Sequence, residues 1–220
     1  MYNMKGIEIM YDIIIEEIIK EEWLQFQLIN NEGGRALCQD DWEQFKIMRK
    51  SQFLAWPENI LEKYFEDLIS AKLEGRNLLF EKYAWMMEST APEQFKKIRQ
   101  SLPLISKERK DRVSKVALIQ AKWGEEFALK YPNMAETGRV FYTKDDTPVL
   151  TSIETYARGE LLSYSKKTEV LYSDFILLNE ENGINLTYVV RENMVILNGY
   201  NSLEHYMEMQ CYNDNGRKLE

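Results

Sequence analysis

Residues 30 to 56, "NNEGGRALCQDDWEQFKIMRKSQFLAW", decide the fold because they contain a helix start, an aromatic face and a helix stop. Asp40 is the predicted N-cap, and Glu43 three residues later completes a capping box. Pro57 ends the helix at Trp56. At about 100° per residue, one apolar face falls within an arc of roughly 80°. That face is formed by Trp42, Phe45, Arg49, Gln52 and Trp56.

Arg49 is the unusual member of this face. Burying an unpaired guanidinium costs several kcal/mol, and its pKa above about 12 prevents it from losing the charge. One interpretation is structural: Arg49 pairs with an inward-facing acid such as Glu160 or Glu22, Gln52 holds a loop, and the aromatic residues are core.

The other interpretation is functional and uses the same face. Arg49 and Gln52 would line a pocket whose walls are Trp42, Phe45 and Trp56. A fork-shaped donor among aromatic rings suits a carboxylate, a phosphate or a planar ring.

The composition predicts an all-α protein. The chain has 220 residues, 45% of them hydrophobic, with only ten glycines and five prolines, and its Leu, Ile, Glu, Lys, Met and Gln content favours helix. We predict a compact multi-helix bundle forming a single helical domain over residues 1–220, with one irregular loop or small hairpin near 138–150 and a sub-boundary near 132–151. The predicted helices besides 40–56 span residues 7–28, 58–73, 77–89, a short segment before Pro103, 106–131 and 153–178.

The segment after Gly183 has two readings. It is predicted as one or two helices ending near Gln210. Alternatively, the β-branched runs "INLTYVV" and "MVIL" form strands, with Asn182-Gly183 as a hairpin turn.

Composition and charge also exclude several classes of protein. No run approaches the roughly 20 apolar residues of a membrane span, and the N-terminus lacks a signal peptide, so we expect a cytoplasmic protein without a membrane partner. A net charge of −8 repels the phosphate backbone of nucleic acids, so we do not expect a nucleic-acid partner.

The motifs that carry common chemistries are missing. With His205 as the single histidine, we expect no metal site, and no phosphate-loop, dinucleotide-binding or nucleophile-elbow motif is present, so we expect no cofactor. The sequence assigns no reaction and no catalytic residue; any chemistry would rest on Glu154, Glu160 or Asp40.

Arginines next to glycines extend the candidate site. Glycine lets the backbone approach a ligand, and neighbouring arginines can converge on an anion; the plainer interpretation is that these residues cap helix ends. The candidate residues for binding a small anionic ligand are Arg35, Trp42, Arg49, Gln52, Trp56, Arg139, Arg158 and Glu160.

Residues 96–115 are locally basic, with eight Lys and Arg against two acidic residues. Such a run is usually solvated surface. The alternative function is a non-catalytic interaction or regulatory module that docks an acidic partner or a nucleotidyltransferase-like protein through this segment.

Several stretches resemble an uncharacterised bacterial family, a domain of unknown function of about this length. The resemblance covers most of the chain, with "DWEQF" and "MRKSQ" as its most specific parts. It implies no activity or cofactor, and it implies for some relatives a link to nucleotidyltransferase-like domains. The stretches are "NNEGGRALCQDDWEQFKIMRKSQFLAW", "LEGRNLLFEKYAWMMEST", "YPNMAETGR" and "TSIETYARGELLSYSKKTEVLY".

Overall fold

The chain folds into α-helices joined by short connections, and the all-α prediction is confirmed. The computed structural model describes residues 4–30, 34–135 and 138–216, and these contain eleven α-helices and no β-strand. None of these helices combines the length and the apolar character needed to cross a bilayer. The helices are α1 (Met4–Gln27), α2 (Trp42–Phe53), α3 (Glu58–Leu73), α4 (Leu78–Thr90), α5 (Pro92–Ile98), α6 (Lys107–Lys130), α7 (Pro132–Ala135), α8 (Ile153–Ser163), α9 (Lys166–Glu181), α10 (Leu186–Leu197) and α11 (Leu203–Gly216).

Helix α2 begins one residue later than predicted. Its N-cap is Asp41, whose carboxylate accepts a hydrogen bond from the backbone N–H of Gln44 at 3.0 Å. Asp40 instead pairs with Arg35. Two consecutive aspartates offer the same capping chemistry, so the sequence identified the helix start but not which residue caps it.

The prediction of one continuous helix over 153–178 is wrong, because the structure has two helices in this range, α8 and α9. Tyr164 has an extended backbone, and the Ser165 hydroxyl accepts the backbone N–H of Thr168 to start α9. Serine at an N-cap competes with helix continuation. The start of α8 is likewise capped by a serine, since the Ser152 hydroxyl accepts the backbone N–H of Thr155.

The segment after Gly183 is helical, so the strand alternative is wrong. Gly183 has a φ of 69° and ends α9 in the left-handed conformation. Asn185 then caps α10 by accepting the backbone N–H of Thr187. Tertiary packing overrides the β propensity of this stretch, because α10 packs on α2 and α6 with Val195 in the core.

The predicted irregular segment over 138–150 is an ordered loop. Its one regular β feature is an isolated bridge between Thr147 and Leu150. Asp146 fastens the loop to the bundle: its carboxylate accepts hydrogen bonds from the hydroxyls of Ser89 on α4 and Thr155 on α8, at 2.5 and 2.6 Å. These bonds hold the loop over one end of α8.

Helix α8 lies between α4 and α6, and Gly159 permits the close approach to α4. A Cβ at this position would lie 2.7 Å from the backbone oxygen of Lys82 and 2.8 Å from Cγ of Met86. We expect Gly159→Ala to lower the free energy of unfolding by about 1–3 kcal/mol, because the clash with a backbone atom forces the two helices apart.

Gly124→Ala on α6 is the matched control for Gly159→Ala. Its Cβ would lie 2.7 Å from the terminal Cδ1 of Ile153, which can rotate away, and 3.7 Å from the Phe141 ring, which is ordinary contact. The gain in helix propensity, about 1 kcal/mol, offsets the remaining cost. Urea denaturation of both variants checks this, and equal losses would contradict the close-approach argument.

Candidate functional site

Arg49 of α2 is buried and forms a bidentate ion pair with Glu22 of α1. Its Nε and Nη2 donate to the two carboxylate oxygens of Glu22 at 2.6 Å each. The Tyr64 hydroxyl donates to the same carboxylate at 2.6 Å, and Arg49 Nη1 donates to the side-chain oxygen of Gln52 at 2.6 Å. The buried acid that the structural interpretation required is therefore present.

Glu160 of α8 joins the same network. One carboxylate oxygen accepts Arg49 Nη2 at 2.9 Å and the Tyr164 hydroxyl at 3.1 Å, and the other accepts Lys82 Nζ at 2.9 Å. The two carboxylates and the two cations balance in charge. We call Glu22, Arg49, Lys82 and Glu160 the buried charge quartet.

Two members of the quartet, Arg49 and Glu160, keep their charges at neutral pH. Burial alone would raise the pKa of Glu160, but Arg49 and Lys82 outweigh it and lower that pKa to about 2. Burial likewise opposes the charge of Arg49, and Glu160 and Glu22 raise the pKa of Arg49 well above its ordinary value. The quartet thus ties α1, α2, α4 and α8 together as a neutral unit.

A cavity of about 400 Å³ lies beside the quartet. Its walls come from α2, α6, α8, α9 and α10 and from the loop after α7. Most of the lining side chains are apolar, and many are aromatic. The size and lining are those of a small-molecule pocket. Six aromatic side chains line it: Trp56, Trp123, Phe127, Phe141, Tyr156 and Tyr172.

Arg191 of α10 lines this cavity and is partly buried. Among the described residues, no carboxylate lies within 4.0 Å of its guanidinium. Its contacts are the Phe127 ring, with Cζ 5.7 Å from the centroid, and the Met194 sulfur at 3.8 Å from Nη1. Burial lowers the pKa of Arg191, which still exceeds neutral pH because arginine remains charged in proteins.

Arg139 adds a second positive charge at the cavity. Its guanidinium lies 4.6 Å from the centroid of the Tyr156 ring, and Nη1 donates to the backbone oxygen of Thr151 at 3.2 Å. Lys82 Nζ lies 3.8 Å from the same ring. Because the quartet is neutral, Arg139 and Arg191 give the cavity wall its net positive charge.

Five of the eight candidate residues from the sequence line the cavity: Arg49, Gln52, Trp56, Arg139 and Glu160. Arg49 and Glu160 are occupied by each other and by the rest of the quartet. They therefore support the cavity wall, and their charges are already compensated.

The remaining three candidate residues lie elsewhere. Trp42 is about 10 Å before Arg49 along the α2 axis and packs against Trp23 of α1, with ring centroids 5.3 Å apart. Arg35 is exposed and pairs with Asp40 at 2.7 Å. Arg158 faces away from the cavity on α8 and lines a separate hollow of about 250 Å³.

Sequence reasoning missed Arg191, although α10 carries a signal for it. The cavity-lining residues of α10 follow helical spacing over 186, 187, 190, 191 and 194. Because the sequence left this segment open between helix and strand, no face could be assigned to it.

The basic segment 96–115 is largely engaged within the protein. Arg112 forms a bidentate pair with the buried Glu169 at 2.6 and 2.8 Å. Arg109 donates to two backbone oxygens at the end of α8, at 2.7 and 3.1 Å. Lys96 and Lys107 pair with acids on their own helices. The segment therefore holds α6 against α8 and α9.

Arg191 also carries a stability prediction. Because its charge is partly desolvated and has no carboxylate partner in the described part of the chain, we expect Arg191→Met to leave the free energy of unfolding unchanged or raise it by up to about 1 kcal/mol, as is common for residues kept for binding. Urea denaturation measures this. A loss above about 2 kcal/mol would mean that Arg191 has a structural partner.

In the part of the chain that the structure describes, no three His, Cys, Asp or Glu side chains lie close enough together to hold a metal ion. Comparison with curated proteins and with solved structures found no match.

A family model does match the sequence. It is described as a protein of unknown function (DUF4125), and it covers residues 12–208, which include both the charge quartet and every cavity-lining helix. The predicted membership of a family of unknown function is thereby confirmed, and the chain belongs to the DUF4125 family.

Proposed function

We propose that this protein binds a small organic anion, a carboxylate or a phosphate, in the cavity between α2, α6, α8, α9 and α10. The observation that carries the proposal is Arg191, a partly buried cation on the cavity wall with no carboxylate partner among the described residues. A partly buried charge is stabilised by an acid, by hydrogen-bond acceptors or by a bound anion, and its place on a cavity wall makes Arg191 accessible to a bound anion.

The electrostatics of the cavity favour an anion over a cation. Glu160 is the one carboxylate on the cavity wall within the described residues, and Arg49 and Lys82 already neutralise it. Arg139 and Arg191 remain, and an arginine fork can bind a carboxylate or phosphate through two parallel hydrogen bonds.

The same geometry supports binding rather than acid–base catalysis by Glu160. A carboxylate with a pKa of about 2 is a weak base near neutral pH, where a general base works best with a pKa close to 7. The two other acids considered from the sequence are also occupied. Glu154 accepts the backbone N–H of Thr143 at 2.8 Å, and Asp40 pairs with Arg35 at the surface.

A thermal-shift screen of nucleotides, sugar phosphates and carboxylic acids tests the proposal. Selective binding to the folded state raises the melting temperature by mass action. We expect at least one class of anion to stabilise the wild-type protein and to lose this effect in Arg191→Met. Arg158→Met, which removes an arginine from the opposite face of α8, should keep the effect.

Two results would overturn the proposal. One is a screen in which no anion stabilises the wild-type protein. The other is stabilisation that survives Arg191→Met or disappears equally in Arg158→Met, because the effect would then arise outside this cavity.

The docking function through residues 96–115 has less support. Its two central arginines, Arg109 and Arg112, already serve internal contacts, and charge reversal there would disturb the fold before it reported on a partner. The acidic partner and the cytoplasmic location stay predictions from the sequence.

A further inference from the structure

The uncharged polar groups of the cavity restrict the ligand further than its charge does. Several of them are hydrogen-bond donors without an acceptor among the described residues, and these include the Gln52 amide nitrogen, the Trp56 indole N–H and the Tyr172 hydroxyl. The side-chain oxygen of Gln52 is used by Arg49, and the Tyr172 oxygen accepts Gln120 Nε2 at 3.3 Å. With these oxygens already accepting a hydrogen bond, both residues still have free protons to donate to a ligand.

These donors lie among aromatic walls. Trp56 and Tyr172 belong to the core and are 4% and 6% exposed, and their ring centroids are 4.8 Å apart. Polar groups at such a depth are expected to have partners. A flat ligand provides such a partner when it packs against the aromatic walls of the cavity and its edge accepts hydrogen bonds from the donors.

Resting on the proposed function, we infer that the ligand is a flat, ring-bearing anion with hydrogen-bond acceptors on its ring edge, such as ring carbonyl oxygens, which Gln52, Trp56 and Tyr172 recognise. Arg191 then binds the anionic group. A cavity of about 400 Å³ is at the lower end for a drug-sized molecule, which suits one or two rings. Heterocyclic carboxylates and nucleoside monophosphates share this chemistry.

Calorimetric titration of the wild-type protein with four probes tests the inference. Orotate has a ring with carbonyl acceptors and a carboxylate, and uridine 5′-monophosphate has a similar ring and a phosphate. Naphthalene-1-carboxylate keeps a flat ring and the charge but has no ring acceptors. Ribose 5-phosphate keeps the phosphate but has no flat ring.

We expect orotate or uridine 5′-monophosphate to bind at least tenfold more tightly than both probes that lack ring acceptors. Whichever of the two binds more tightly identifies the anionic group as carboxylate or phosphate, and either result supports the inference. Naphthalene-1-carboxylate binding as tightly as both of them, with dependence on Arg191, would overturn the inference while leaving the proposed function intact. Absence of binding by all four probes would overturn the inference, whereas binding of a ring-acceptor probe that is unchanged in Arg191→Met would overturn both the inference and the proposed function.

Tyr172→Phe isolates the donor, because it removes the hydroxyl and keeps the ring. We expect it to weaken the ring-acceptor probe roughly fivefold, the effect of one hydrogen bond, and to change naphthalene-1-carboxylate binding less than about twofold. Tyr188→Phe, at a tyrosine outside the cavity lining, is the control and should change neither. Equal weakening of both probes by Tyr172→Phe would contradict a donor role.

Discussion

Replacing Arg49 with methionine is expected to lower the free energy of unfolding by about 3–5 kcal/mol, the usual cost of removing one partner from a buried ion pair. Glu22 has a 1% exposed side chain and would keep only the Tyr64 hydroxyl as a donor. A loss of this size is a large share of the roughly 5–15 kcal/mol that stabilises a typical domain.

Lys50→Met is the control for Arg49→Met, because it removes a neighbouring cation from the same helix. Lys50 pairs with Glu16 at 2.9 Å, with both side chains more exposed, so its loss should cost less than about 1 kcal/mol. The double variant Glu22→Gln with Arg49→Met should recover part of the loss, since it no longer buries an unpaired carboxylate. Equal costs for Arg49→Met and Lys50→Met would contradict the structural role of the quartet.

Glu160→Gln is expected to cost about 3–5 kcal/mol at pH 7, because the neutral amide leaves Lys82 without its carboxylate. The cost should depend on pH. Arg49 and Lys82 lower the pKa of Glu160 from 4.5 to about 2, so its contribution is complete above pH 4.5 and is lost as the pH falls toward 2. By linkage, the wild-type protein should lose roughly 2 kcal/mol more than Glu160→Gln between pH 7 and pH 3.

Denaturant unfolding at several pH values measures this difference. Glu93→Gln is the control: Glu93 pairs with Lys96 at the surface, with a 79% exposed side chain, and its removal should change stability by less than about 0.5 kcal/mol. Parallel pH profiles for wild type and Glu160→Gln would show that Glu160 is not held ionised by the quartet.

Much of the fold could be predicted because the helix caps and the hydrophobic periodicity of the sequence agree with the way the helices pack. The predicted range 58–73 coincides with α3, and the predicted helix over 106–131 begins where Ser106 caps α6. The division between α8 and α9, where Ser165 caps a new helix after the extended Tyr164, was missed. Hydrophobic periodicity continues across such a break and does not reveal it.

The acidic partners of Arg49 could be predicted from the sequence, but the arginine that is left for a ligand could not. The energetic cost of a buried guanidinium correctly required an acid near Arg49, and Glu22 and Glu160 were both named from the sequence. Arg49 is neutralised by Glu22 and Glu160, which lie 27 and 111 residues away along the chain. Only the tertiary structure shows that these acids reach Arg49 and that no described carboxylate reaches Arg191. The charge available to a ligand therefore lies at Arg191, on a segment whose secondary structure the sequence left open.

The most direct test of this account follows the arginine side chains by nitrogen-15 NMR during titration with orotate or uridine 5′-monophosphate, whichever binds more tightly. Spectra of Arg191→Met and Arg49→Lys assign the two Nε–H resonances. We predict that the Arg191 resonance shifts in proportion to saturation while the Arg49 resonance, held by Glu22, stays in place. A titration that moves Arg49 and leaves Arg191 unchanged would contradict the assignment of the anion site.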